Sequence, residues 1–180
     1  MMNNITPIAL FYGSSTCYTE FVGEKIAKTL EKKCGENTVH IFKVGDDDLQ
    51  KIQGYHNIIL GIPTWDYGEL QEDWENHWPE LDQIDFENKT VALYGVGDQV
   101  GYPEWFLDAL GYLHDKVQAR GAKLIGYWPN EGYKFSASQA LNEDGQFFLG
   151  LAIDEENQFD LTEERIDRWV TQILQEFGFD

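Results

Sequence analysis

Residues 8–19 (IALFYGSSTCYT) constrain this chain more than any other stretch. Ile8, Ala9, Leu10, Phe11 and Tyr12 form a contiguous apolar run that reads as a buried strand. Gly13 ends it. Ser14, Ser15, Thr16, Tyr18 and Thr19 then place hydroxyls around Cys17, just before an amphipathic helix begins. The first-turn N–H groups of such a helix have no intrahelical partner, and the helix dipole adds positive potential at the same point. A strand that empties into a small hydroxylated turn at a helix N-terminus is suited to an anion, here a phosphate. The rest of the chain must then wall in whatever the phosphate carries.

The length of 180 residues fits one domain, 1–180, with a full core. A hydrophobic content of 42% and an aromatic content of 14% exclude a disordered chain. The formal net charge of −19 argues against nucleic acid and anionic membranes, both of which require basic patches. Such charge suits basic protein partners, or solubility alone. Cys17 and Cys34 have neither zinc nor C-x-x-C spacing, which leaves a metal or disulfide framework unsupported. No apolar run reaches the roughly 18 residues of a membrane span. The first residues, MMNNITP, lack the basic start and apolar stretch of a secretory signal, so a cytoplasmic location is expected.

Further strands are expected at 39–44, 57–61, 90–95 and 122–127. Helical patterns separate them. In the first helix Val22, Ile26 and Leu30 share a face, opposite Glu20, Glu24, Lys28 and Lys32, and Cys34-Gly35 ends it. Residues 70–81 are weakly helical, and 103–119 carry Phe106, Leu107, Leu110, Leu113 and Val117. The pattern is clearest over 162–177, where Ile166, Trp169, Val170, Ile173, Leu174 and Phe177 recur with helical spacing. Apolar strands alternating with helices indicate a parallel sheet covered on both faces. The polar stretch of about 128–146 is too long for an ordinary connection. It reads as an excursion from the sheet edge, with the second apolar run, 147–153, returning to the same edge position.

In a doubly wound sheet, ligands bind beyond the carboxyl ends of the strands. Three strand ends here carry unusual residues: the hydroxyl turn; Pro63, Thr64, Trp65, Asp66, Tyr67 and Gly68; and Gly95, Val96, Gly97, Asp98, Gln99 and Tyr102. Trp65 and Tyr102, on neighbouring loops, can sandwich a flat ring, each stacking contact being worth roughly 1–3 kcal/mol. Taken singly, each could equally be an ordinary half-buried aromatic. Gly95, Gly97 and Gly101 miss the G-x-G-x-x-G spacing by one residue, and no G-x-x-x-x-G-K-[ST] is present. The four histidines are scattered, and Ser14 and Ser15 lack the G-x-S-x-G elbow of a serine hydrolase. Cys17, at a helix N-terminus beside the expected phosphate, reads as having a packing or backbone role rather than that of a reactive thiol. The acidic loops (Asp46 to Asp48, Glu69 to Glu75, Asp154 to Glu156) read either as a solvated face or as a ring around the opening.

Four motifs, GSSTCYTE (13–20), GIPTWDYGE (61–69), ALYGVGDQ (92–99) and GLAIDE (150–155), together resemble those of flavodoxins. The resemblance covers essentially the whole chain, and the interrupted fifth strand marks the long-chain bacterial group. Cys17-Tyr18 resembles the second-flavodoxin subgroup, whereas most long-chain members have glycine and then a polar residue at these two positions. The resemblance implies an α/β three-layer sandwich, with a five-stranded parallel sheet of order 2-1-3-4-5 and an interrupted fifth strand. It implies a monomeric one-electron carrier, not an enzyme, with one non-covalent FMN. The phosphate is then expected on Ser14 to Thr19 and the ring between Trp65 and Tyr102. Backbone of Thr64 to Gly68 and of Gly97 to Gln99 is expected along the ring's polar edge, with Asp154 nearby. The implied partners are a flavodoxin/ferredoxin reductase-type donor and acceptor redox enzymes with basic docking faces. The alternative is an NAD(P)H:quinone oxidoreductase of the same fold, which needs a second pocket over the flavin. Carboxylates near the flavin are expected to make it a low-potential donor.

Overall fold

A computed structural model describes residues 6–179; residues 1–5, part of the stretch read as lacking a secretory signal, lie outside the described residues. β1 (Ile8–Tyr12) leads through the turn into α1 (Tyr18–Cys34), and β2 (Val39–Lys43) follows. β3 (Asn57–Trp65) turns back as β4 (Glu69–Leu70), then α2 (Glu72–His77) runs into a 3-10 turn over Trp78–Gln83. β5 (Thr90–Val96), α3 (Asp108–Ala119) and β6 (Lys123–Ile125) precede the excursion, in which β7 (Trp128–Pro129) pairs antiparallel with β8 (Phe147–Phe148). β9 (Leu151–Ile153) and α4 (Thr162–Phe177) complete the chain.

The parallel sheet has the order β2-β1-β3-β5-β6. β6 pairs with Thr90–Ala92 of β5, and β9 pairs with Tyr94–Val96 of the same strand. The fifth position is thus one strand in two pieces, as expected from the second apolar run. α1 and α4 pack together on one face, and α3 packs on the other. Val22, Ile26, Leu30, Ile166, Trp169, Val170 and Ile173 bury the stripes that the periodicity identifies.

Several element boundaries differ from the expected ones. β3 runs four residues past Gly61 because β5 pairs with Ile62 and Pro63, and Trp65 then pairs with Glu69 of β4. Pro63 occupies the last rung with β5, where a missing donor costs least. β6 stops at Ile125, since Gly126 takes φ 79°. The 70–81 helix changes to 3-10 geometry at Trp78, with Pro79 next. α3 begins at Asp108 rather than near 103: Pro103 to Leu107 form tight turns, and Leu107 is left-handed at φ 59°.

Two features of this fold set the site. Tyr94, on β5, lies between the sheet and α1, and its hydroxyl donates to the Thr19 carbonyl at 2.9 Å. A Cβ at Gly61 would stand 2.0 Å from the Tyr94 ring, and one at Gly23 would stand 2.5 Å from its hydroxyl, so both glycines make room for it. The tie fixes the start of α1 relative to the sheet. On the other side, the excursion braces the loop after β5. The Lys134 N–H donates to Gln99 Oε1 at 2.6 Å, Ser136 N–H to the Pro103 carbonyl at 2.7 Å, and Gln139 N–H to Asp108 Oδ1 at 2.8 Å. Phe106, Tyr133, Phe135 and Phe148 pack beneath, with ring centroids 5.1–5.9 Å apart.

Candidate functional site

The turn is the first wall. Cys17 is the N-cap of α1 in a left-handed conformation (φ 68°, ψ −4°), and no side chain caps the helix. Its carbonyl accepts from Phe21 N–H at 2.9 Å, so the helix starts cleanly while its leading N–H groups face the turn. Ser14 Oγ is buried and, among the described residues, has no hydrogen-bond partner. A buried hydroxyl without a partner costs about 1–3 kcal/mol, which a ligand oxygen would offset. Ser15 Oγ accepts from Gln71 Nε2 at 2.9 Å. Thr19 is buried beneath, held through its carbonyl by Tyr94. No lysine or arginine lies between Gly13 and Thr19. Charge there would be met by dipoles and hydroxyls alone.

From this turn an open cleft of about 210 Å³ extends over the carboxyl ends of the strands. Thr16 and Tyr18 line one end. Pro63, Thr64, Trp65 and Asp66 come from the loop after β3, and Val96, Gly97, Asp98 and Tyr102 from the loop after β5. The loops after β3 and β5 are joined by Tyr102, whose hydroxyl reaches Asp66 Oδ1 at 3.4 Å; the Asp66 carboxylate pushes that phenol's pKa up. Asp66 takes φ 43° and Gly68 φ 85°, which closes the short β3–β4 connection. Tyr67 points outward, 66% exposed, edge-on to Tyr102 and Trp105 at 6.3 and 5.0 Å.

Three residues singled out in the sequence stand behind the cleft rather than in its lining. Gly95 packs toward α3, where a Cβ would meet Leu107 and Leu110. Gln99 and Asp154 are buried and bonded to each other: Asp154 Oδ2 accepts from the Gln99 side chain at 2.7 Å and from its backbone N–H at 3.1 Å. Asn157 adds a donor to the same carboxylate and another to Asp98 Oδ1 at 2.8 Å. These groups hold the loop after β5 against the loop after β9. Asp98 in turn accepts from Val100 and Gly101 N–H. Burial tends to raise its pKa, but the bonds from Gly101, Asn157 and Val100 outweigh that and hold it below the usual carboxylate value.

Two lining residues were not singled out as site residues: Glu155 and Glu156. Glu155 Oε1 is buried without a partner among the described residues, and the Glu156 carboxylate raises the Tyr18 phenol's pKa. Their signal was the strand-end rule itself, since they follow directly on the apolar β9. Among the described residues no group of His, Cys, Asp and Glu side chains is arranged to hold a metal ion, and no helix is long and apolar enough to cross a membrane.

The chain matches the family model described as Flavodoxin over residues 10–169. It is 54% identical over 171 residues to Flavodoxin 2 of Escherichia coli strain K12, covering 95% of this chain and 96% of that protein. It is 44% identical to Flavodoxin 1 of Salmonella typhimurium, covering 95% and 94%. Among solved structures, the FMN-bound flavodoxin of Fusobacterium nucleatum superimposes with a TM-score of 0.86 at 34% identity, over 95% of this chain and 98% of that one. The family match over most of the chain and the 54% identity to a full-length relative show that the chain belongs to the flavodoxin family.

Proposed function

We propose that the cleft holds one FMN and that the protein is a one-electron carrier rather than an enzyme acting alone. The observation that carries this reading is the buried, unpartnered Ser14 hydroxyl, in an uncapped helix turn at one end of a cleft walled by Trp65 and Tyr102 at the other. Ser14, Ser15, Thr16 and the leading N–H groups of α1 hold the phosphate by hydrogen bonds, without a cation. Trp65 and Tyr102 flank the ring and exclude water from its faces. Backbone of Thr64 to Gly68 and of Gly97 and Asp98 addresses its polar edge. The bound flavin supplies reversible single-electron chemistry.

Asp66, Asp98, Glu155 and Glu156 rim the opening. Their charge opposes the build-up of negative charge in the cleft, which makes a low-potential donor, and steers partners whose docking faces are basic. A reductase of the flavodoxin/ferredoxin type upstream and redox enzymes downstream fit that surface, in the cytoplasm.

The test is the visible spectrum of the purified full chain, supplemented with FMN and followed through stepwise reduction. A bound-flavin spectrum that changes in two separable one-electron stages is expected. A protein that takes up no FMN overturns the cofactor assignment. Steady-state NADPH turnover without a separate reductase overturns the carrier assignment.

A further inference from the structure

Gln71 lies outside every loop that lines the cleft, yet its side chain is in contact with the phosphate turn. It is 1% exposed and caps α2. Its Oε1 accepts from Trp74 N–H at 3.4 Å, while its Nε2 lies 2.9 Å from Asp73 Oδ2 and 2.9 Å from Ser15 Oγ. These partners fix the orientation of the amide. A backbone N–H can only donate, so the oxygen must face Trp74; the Asp73 carboxylate accepts, so the nitrogen must face Asp73. What Gln71 presents to Ser15 is therefore a donor.

A hydroxyl has one proton to give. With its oxygen already accepting from Gln71, Ser15 directs that proton away from α2, toward the exposed side of the turn where the anion is to sit. Packing keeps the arrangement in place. A Cβ at Gly13 would stand 2.5 Å from Gln71 Oε1 and 2.6 Å from the Trp74 ring, and Trp74 Nε1 is anchored on the Gly61 carbonyl at 2.9 Å. We propose that Gln71 is a positioning residue that presets Ser15 as a hydrogen-bond donor to the FMN phosphate; this rests on the reading that the turn holds that phosphate.

A cap that served α2 alone would affect every ligand equally. A residue that orients Ser15 affects only the part of affinity owed to the phosphate, which riboflavin lacks. The experiment titrates FMN and riboflavin into the flavin-free full chain and compares their dissociation constants. The wild type is expected to prefer FMN. Gln71→Met keeps the volume and removes the donor, and it should lower that preference by about tenfold, the size expected when one charge-assisted hydrogen bond loses its alignment. Gln71→Glu keeps an acceptor for Trp74 but turns the Ser15 proton inward, and should lower the preference further. In a Ser15→Ala background, Gln71→Met should change the preference no further, since the group it orients is gone. If one Gln71 variant does not fold, the other answers the question. An undiminished preference in the Gln71 variants, alongside a loss in Ser15→Ala, overturns the proposal, as does an equal loss of FMN and riboflavin affinity. A wild type with no preference for FMN overturns the phosphate reading, and the role of Gln71 with it.

Discussion

At the turn end of the cleft the scaffold encloses or tethers neutral hydroxyl residues: Ser14 is buried, Ser15, though exposed, is held by Gln71, and Thr19 is tied to Tyr94 through its carbonyl. At the ring end the side chains are aromatic or carboxylate, and Asp66, Tyr67 and Tyr102 are exposed at the surface. The contrast separates two tasks. An anion bound by a chain of charge −19 needs preset dipoles, because solvent-exposed groups would reorient and the net field is repulsive. A ring that must exchange electrons with partners needs an accessible edge, and its potential is set by charges placed near it rather than in contact with it.

The largest effect is expected at the ring end. Trp65→Ala removes one face of the sandwich and should weaken FMN and riboflavin alike, by roughly 5- to 150-fold, equivalent to ~1–3 kcal/mol. Fluorescence titration with both ligands checks this. A loss confined to FMN would break the division of labour, because it would mean that Trp65 acts through the phosphate.

Next come the carboxylates. A charge about 10 Å from the ring at an effective dielectric near 20 is worth roughly 1.7 kcal/mol. With a tenfold one-electron step at about 59 mV, that is on the order of 70 mV. Solvent screening reduces the figure to a few tens of mV for an exposed group such as Asp66. Asp66→Asn, Asp98→Asn and Glu155→Gln should each raise the potential of the second one-electron step, Glu155 most because one of its oxygens is buried. Redox titration of the three variants is the measurement; unchanged potentials in all three would leave the acidic rim to docking and solubility.

The same contrast governs how much of the molecule could be read from its sequence. Contiguous apolar runs locate β1, β3 and β5, which are buried on both faces, while the edge strands β2 (VHIFK) and β6 (KLI) carry polar residues and are partly exposed, and the stripe over 162–177 matches the bounds of α4. Of the run 147–153, read as returning to the sheet edge, only Leu151–Ile153 does so; Phe147–Phe148 pairs with β7 instead. What escaped was set by contacts distant in sequence. Residues 62–65 continue β3 only because β5 and β4 flank them, and Pro63 argues locally against it. The start of α3 is displaced by turns that the excursion braces. Among candidate site residues, the hydroxyl turn and the two aromatic loops stood out through composition. Gln71 did not, since a glutamine within the weakly helical stretch 70–81 looks like a surface residue until Ser15, 56 positions earlier in the chain, is found against it. Gln99 and Asp154 stand behind the cleft for the converse reason: strand-end position selects them, but their side chains satisfy each other beneath it.

The smallest expected effect concerns the residue at which the turn departs from the long-chain pattern. Cys17 is exposed and sits at φ 68°, a left-handed conformation that glycine adopts freely and an L side chain does not. The turn therefore keeps the backbone path that a glycine would take, and the cost of about 1 kcal/mol falls on stability rather than on the direction of the N–H groups. Cys17→Gly should relieve that strain, offset in part by the greater freedom of glycine in the unfolded chain, and raise Tm by about 1–4 °C for a domain of this size. Cys17→Ala keeps the strain and removes only the thiol, so its Tm should stay near that of the wild type. FMN affinity should hold in both variants, since neither changes a donor. A fall in affinity with Cys17→Gly would show that the turn is not rigidly preset and needs the side chain at residue 17 to hold its conformation. That result would erase the contrast between a fixed turn end and an adjustable ring end.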